Sequence, residues 1–194
     1  MVPSRCSWCG DDPLLVPYHD REWGRPVADD ARLFEKVCLE GFQSGLSWLT
    51  ILRKREAFRS AFSVFVPAIV AGYGPDDVER LLSDAGIVRN RAKIESTVNN
   101  ARRALELPSL AGHLWSFAPP PERPAPETLV ATSAESIALS KDLKRRGWTF
   151  VGPTTVYAFM QAVGVVDDHM AACDFRADVE RARAAFRPPP AGGF

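Results

Sequence analysis

The sequence has no excess charge of either sign: 24 Lys and Arg stand against 24 Asp and Glu in 194 residues. Whole-chain charge therefore predicts neither a nucleic-acid partner nor an acidic surface, and any basic patch must be local. Long apolar runs are missing as well. The most apolar stretch, Phe62 to Gly72, is interrupted by Pro67 and is too short to span a bilayer. No apolar run follows a basic start between Met1 and Trp8, so no targeting leader is read there and a cytoplasmic protein is expected. Cysteine is scarce. The four present (Cys6, Cys9, Cys38, Cys173) are expected as thiols used for packing, metal binding or catalysis. Alternating runs bounded by hairpin turns are also lacking, which argues against a β protein. What remains is 46% hydrophobic and 25% charged, ordinary for a globular chain and incompatible with a disordered or collagen-like one. A chain of this length buries roughly 70% of its unfolded surface and needs no disulfide staples.

Helical signals fill the gap, and an all-α fold is expected. Asp29 and Asp30 form an N-terminal cap, with Leu33, Phe34, Val37, Cys38 and Leu39 following at helical spacing up to a stop near Gly41 to Gly45. A second helix is read from Trp48 to Phe62, with Leu49, Leu52 and Phe58 on its apolar side. A third starts at Pro75-Asp76-Asp77 and ends at Gly86, and a longer amphipathic one runs from Asn90 to Leu107. The proline-rich segment Pro119 to Pro126 reads as a surface loop that could divide two lobes around a central cleft. Residues 1–185 read as a single helical domain and 186–194 as a disordered tail.

Ser133 to Arg146 reads as a helix with Ile137, Leu139 and Leu143 inward. It ends in Lys144-Arg145-Arg146-Gly147. Trp148 to Gly152 then lead into a second helix opened by Pro153-Thr154-Thr155. The result is a short hairpin between two helices, with free amides beside a basic cluster. Such a site can bind a phosphate without reading a base, and it can equally be an ordinary helix corner with a solvated basic end. The spacing resembles the helix-hairpin-helix element of DNA repair glycosylases, with Val151-Gly152-Pro153-Thr154-Thr155 matching in part.

There are three histidines. His19 lies near Cys6 in sequence, and His169 lies four residues before Cys173, so the last two would share a face if that segment were helical. Two Cys and two His make a good tetrahedral zinc set, here with one pair near each end of the chain, where a metal would close a long loop. Two alternatives stand beside it. Cys6-x-x-Cys9 could be a redox pair or supply Cys9 as a ligand, and Cys38 and Cys173 could be core thiols. The segment Leu39-Glu40-Gly41-Phe42-Gln43-Ser44-Gly45-Leu46-Ser47-Trp48 sets a carboxylate among apolar residues. Buried carboxylates are costly unless hydrogen-bonded, so an inward Glu40 has a function. Tyr18, Trp8, Trp23 and Trp48 supply flat surfaces. Rings plus one carboxylate could hold a cationic heterocycle, although large aromatics are more often core.

Together these pieces resemble the bacterial 3-methyladenine DNA glycosylase I family. The match rests on Arg5 to Trp8, Asp12-Pro13-Leu14, Tyr18 to Gly24, Leu39-Glu40-Gly41 with Gln43 and Gly45 to Trp48, Asp84 to Arg89 with Lys93-Ile94, Leu139-Ser140-Lys141 through Gly152, and Asp168-His169 with Cys173. The resemblance implies a helix-hairpin-helix glycosylase fold. It implies a structural zinc on Cys6, His19, His169 and Cys173 that joins the terminal segments. It also implies that Glu40 reaches a damaged base, with Tyr18 and Trp48 in the same pocket, and makes Leu46 a candidate wedge into the base stack. The implied activity is hydrolysis of the N-glycosidic bond of N3-methyladenine in double-stranded DNA, leaving an abasic site. The hairpin around Gly147, Gly152 and Thr154, with Lys144, Arg145 and Arg146, would hold phosphates. A monomer without a redox cofactor or a membrane role is expected. The alternatives are a lesion-recognising protein of the same fold without catalysis, and a zinc-stabilised interaction domain. Three positions depart from the family pattern or stand apart from it: Leu15 sits where Tyr is common, Cys9 is an extra thiol, and Asp167 occupies the place of the superfamily's catalytic Asp but is expected to be a bystander.

Overall fold

The computed structural model describes residues 3–120, 124–128 and 130–190. Pro121, Glu122 and Arg123 of the expected proline-rich loop, and Ala191 to Gly193 of the expected tail, lie outside the described residues. The described remainder of both segments carries no helix, as expected.

The described residues contain ten α-helices and no strand: α1 (Leu15–Arg21), α2 (Asp30–Gln43), α3 (Trp48–Ala61), α4 (Pro67–Val70), α5 (Pro75–Ser83), α6 (Arg91–Ala104), α7 (Leu110–Trp115), α8 (Ala134–Arg145), α9 (Pro153–Ala162) and α10 (Arg176–Ala185). The all-α reading stands. Short polar side chains start several helices. Asp29 accepts from the Arg32 amide, Ser47 from Thr50, Asn90 from Lys93 and Ser133 from Ser136, each bond satisfying one amide that the first turn leaves unpaired.

Helix α2 is the centre of the molecule. Leu33, Phe34, Val37, Cys38 and Leu39 are all buried, and α2 packs against α3, α6, α7 and α9. The most extensive helix pair is α8 with α9. The turn between them, residues 146–152, has Gly147 in the left-handed region at φ +83°, as a residue just past a helix end requires. Its Trp148 is buried in the core.

The structure corrects the sequence reading in four places. Ile137 faces solvent, 52% exposed. It lies two residues from Leu139, about 200° around the helix, so it cannot share the Leu139–Leu143 face. Ser136 and Ser140 take the remaining inward positions, and the Ser140 hydroxyl donates to the Val151 carbonyl at 2.6 Å. Leu49 is only half buried. His169 and Cys173 are not on a helix but on an irregular segment, closed by a turn from the Cys173 amide to the Met170 carbonyl. Helices α1, α4, α7 and α10 have no counterpart in the sequence analysis: the first three, of 7, 4 and 6 residues, show too few turns of periodicity, and α10 has no side-chain cap and buries only Val179.

The first residues of the chain lie on the last third of it. Ser4 and Asp174 exchange hydrogen bonds of 2.8 and 3.1 Å. The Gly24 and Val27 amides donate to the Gln161 and Val163 carbonyls at 3.0 and 3.2 Å. Gly164 faces this segment so closely that a Cβ there would stand 2.5 Å from the Gly24 oxygen.

Candidate active site

A cavity of about 250 Å³ opens beside α2. Tyr18 from α1, Trp8 and Trp23 from the loops flanking α1, and Trp48, the first residue of α3, form its aromatic wall. Trp48 is fixed there by the Ser47 cap. Ring centroids are 5.3 Å apart for Tyr18 and Trp48, 6.4 Å for Trp8 and Tyr18, and 5.0 Å for Trp8 and Trp23. Glu40, in the last turn of α2, provides the carboxylate, with Gln43, Val130, Ala158 and Gln161 completing the lining. All five residues expected to meet a base (Glu40, Tyr18, Trp48, Trp8 and Trp23) thus stand around one cavity.

Glu40 is 5% exposed and accepts no hydrogen bond from the described residues. Burial pushes its pKa up to about 8, against the pull of the nearby Lys36 charge. Burial also holds the Tyr18 phenol well above its ordinary value, so it stays a neutral donor. A flat ring in this cavity meets π faces on several sides and one carboxyl group to which no described residue donates a hydrogen bond. A positively charged heterocycle is the ligand that satisfies both.

A second cleft of about 310 Å³ shares Glu40, Gln43 and Ala158 with the first and adds Ser44, Gly45, Leu46, Thr154 and Thr155. Leu46 is 42% exposed at the tip of the loop between α2 and α3. The Lys93 ammonium holds that loop, donating to the Phe42 and Ser44 carbonyls at 2.8 and 2.6 Å. Helix α6 also grips the hairpin. The Asn100 amide group donates to the Thr149 carbonyl at 2.9 Å, and its Oδ1 accepts from the Thr149 amide at 2.9 Å. Asn99 donates to the Gly147 carbonyl at 2.8 Å.

The residues expected to meet DNA therefore divide. Leu46 and Thr154 line the cleft beside Glu40, and Gly152 caps α9 just before it, where the first amides have no intrahelical acceptor. Lys144, Arg145 and Gly147 lie on the far arm of the hairpin and line neither cavity. The Arg145 and Arg146 guanidiniums both bond the Asp142 carboxylate, which takes up part of the basic cluster's charge.

The two ends of the chain meet at the buried Cys6, His19, His169 and Cys173. The ligand atoms of Cys6, His19 and Cys173 lie within 4.8 Å of one another, and the His169 ring centroid is 4.9 Å from that of His19. His169 Nε2 is buried without a partner. Asp20 bonds His19 Nδ1 at 2.8 Å, and Asp167 bonds His169 Nδ1 at 2.9 Å. Each carboxylate thereby turns the opposite nitrogen toward the cluster, where His19 Nε2 lies 3.4 Å from the Cys6 amide and 3.6 Å from the Cys173 sulfur. Two thiols and an oriented imidazole converge as three donors suited to a metal, and the orphaned His169 Nε2 beside them is of the type that could complete a tetrahedral set. Cys9 is buried outside this set, and Cys38 is a core thiol. The Asp167 side chain is turned to His169 and does not line the cavity.

Three residues in or behind the cavity wall have no role in the sequence analysis above. Gln43 stood in the quoted motif with no function attached. Gln161 was legible only as an amide within the apolar face of α9. Lys36 signalled itself as a cation inside the apolar run of α2.

A family model described as methyladenine glycosylase matches residues 8–177. The DNA-3-methyladenine glycosylase 1 of Escherichia coli is 46% identical over 181 residues, spanning 87% of this chain and 95% of that protein. A crystal structure of a 3-methyladenine DNA glycosylase I superposes with a TM-score of 0.83 at 44% identity, covering 88% of this chain and 98% of the other. A Staphylococcus aureus structure, described as showing the basis of 3-methyladenine recognition, gives a TM-score of 0.82 at 36% identity, covering 89% and 96%.

Proposed function

The chain belongs to the methyladenine glycosylase family, and we infer from its own pocket that it is a DNA-3-methyladenine glycosylase acting in base-excision repair. The observation that carries this is the buried Glu40 carboxyl, without a hydrogen bond from the described residues, in the lining of an aromatic cavity. Methylation at N3 gives adenine a positive charge and weakens its bond to the sugar. Glu40 and the rings favour that cation over neutral adenine, which would leave the carboxylate unpaired. The C1′–N9 bond breaks with its electrons passing to the base, which leaves as neutral 3-methyladenine. Water adds to C1′ and releases one proton, leaving an abasic site. The leaving group is already activated, so the pocket's main task is selection.

The target nucleotide must leave the stack, which costs a few kcal/mol and least for a damaged base. Leu46, exposed beside the pocket on a loop braced by Lys93, is placed to fill the gap in a duplex. The hairpin between α8 and α9 serves as a helix-hairpin-helix element. Its amides at Gly152 and Thr154 hold backbone phosphate, with Lys144 and Arg145 beyond Gly147 adding charge along the strand. Binding then weakens as salt rises.

Cys6, His19, His169 and Cys173 would hold one zinc ion, whose role when bound is to tie the two ends of the chain together. Four protein ligands leave no open position for a reacting water. The orphaned His169 Nε2 and the Asp20 and Asp167 bonds support this set. No helix among the described residues is long and apolar enough to cross a membrane, and we place the enzyme in the cytoplasm as a monomer.

The test is release of free base from methylated duplex DNA by wild type and Glu40→Gln, with zinc measured on the same samples. Release by wild type and not by the variant supports the reading. Binding without release at any pH would instead favour a lesion-recognising protein without catalysis.

A further inference from the structure

Lys36 is a charged residue in the core with no evident reason to be there. Its side chain is 5% exposed, and its ammonium is buried without a hydrogen bond. Such a group is costly unless its charge is used. The Nζ lies 4.6 Å from the centroid of the Tyr18 ring and 5.6 Å from that of Trp48. It does not itself line the base cavity, so it stands behind the rings that do. The Glu22 carboxylate holds it there at 3.6 Å and is itself gripped by Arg55 through bonds of 2.7 and 3.0 Å. Along α2, Lys36 precedes Glu40 by four residues, so the two share one face.

We propose that Lys36 is a positioning residue for the base pocket: anchored by Glu22 behind Tyr18 and Trp48, its ammonium favours the ionised form of Glu40 against the burial that opposes it, and so readies the carboxylate for a cationic purine. The proposal rests on the base-excision reading above and adds to it what draws the acidic group toward its charged form in an apolar cavity. The charges around Glu40 are few. Helix α1 and its end present Tyr18 and Glu22, α3 presents Arg55, α2 itself presents Glu35 and Lys36, and α9 presents only the uncharged Gln161 and Ala158. On α6, Lys93 is committed to the Phe42 and Ser44 carbonyls. Arg55 and Glu22 largely cancel, and Glu35 is neutralised by Arg59 at 2.9 Å. Lys36 is thus the cation left to act on Glu40. A cation behind the wall also repels an incoming charged base. That repulsion acts over a longer distance than the attraction of the carboxylate the base touches, so the net effect favours binding.

The experiment is the pH profile of base release from methylated DNA by wild type, Lys36→Met, Lys36→Gln and Lys36→Arg, with circular dichroism on each. The neutral variants are expected to move the acid limb upward by at least one pH unit. That is about a tenfold loss below the limb, with recovery at higher pH, while Lys36→Arg keeps the wild-type limb. An unmoved limb in the neutral variants overturns the proposal, as does a loss equal at every pH. Failure of both neutral variants to fold assigns Lys36 a structural role and also overturns it. Absence of release by wild type at every pH is a different result, since it removes the base-excision reading itself.

Discussion

Two buried polar clusters share one wall, and they are built in opposite ways. Trp8 and Trp23 line the base cavity and also pack on the Cys/His cluster, Trp8 5.3 Å from the His19 ring and Trp23 4.6 Å from His169. On the Cys/His side, both imidazoles are oriented by carboxylates from behind, so the donor set stands preassembled. On the cavity side, Glu40 and Lys36 are buried with no hydrogen bond from the described residues. Preassembly suits a ligand that arrives once and stays. An under-satisfied pocket suits a ligand that arrives, reacts and leaves, because every interaction withheld from the empty state is available to the occupied one.

The sharpest way to break this contrast is Glu40→Gln, which should lower base release at least 100-fold while stabilising the fold. The sign follows from burial. Folded Glu40 keeps a proton up to about pH 8 that the unfolded chain gives up near 4.5, so wild-type stability falls as pH rises between those values. At pH 8 the variant should melt higher, by roughly 2 kcal/mol or several degrees, as thermal denaturation at pH 5 and pH 8 will show. An equal or lower melting point at pH 8 contradicts the account. Wild-type release should likewise rise with pH toward 8.

The Cys/His side should respond the other way. His169→Ala is expected to lower zinc content below one per chain and to destabilise by about 3 kcal/mol, with a smaller loss of base release per folded molecule. Elemental analysis with calorimetry decides this, and full zinc retention would remove His169 from the set.

A milder test bears on the scaffold common to both clefts. Asn100→Ala removes two part-buried bonds to Thr149 and should weaken DNA binding by about tenfold without changing the pH profile, read by titration at several salt concentrations. The smallest effect is expected of Asp167→Asn. The amide oxygen can still accept from His169, so release should change less than threefold. A loss as large as that of Glu40→Gln would make Asp167 catalytic.

The long helices were legible because capping residues and periodic apolar positions agree over several turns, as in α2 from Asp29 to Leu39. The aromatic residues and Glu40 were legible as a set through their motif, since no local pattern says that Trp8 and Trp48, forty residues apart, face one cavity. What stayed hidden depended on tertiary partners. The exposure of Ile137 is one such feature: its hydrophobicity suggests core, but hydrophobicity alone does not say which of two faces a helix will bury. The brace of α6 on both functional loops rests on side chain to carbonyl bonds, which leave no periodic trace. His169 and Cys173 meet Cys6 on an irregular turn whose shape comes from the segment it rests on.

The pairing of Ser4 with Asp174, Gly24 with Gln161 and Val27 with Val163 also sets the order of events at the ribosome. The opening segment can set Tyr18 on Trp48 once α3 is made, but its backbone bonds at Ser4, Gly24 and Val27 and the packing of Trp23 on His169 wait for residues 161 to 174. Contacts of such long sequence separation close late, so a nascent chain stalled before residue 160 leaves Trp23 without its packing on His169. That partial product is the form most exposed to aggregation and most in need of a chaperone.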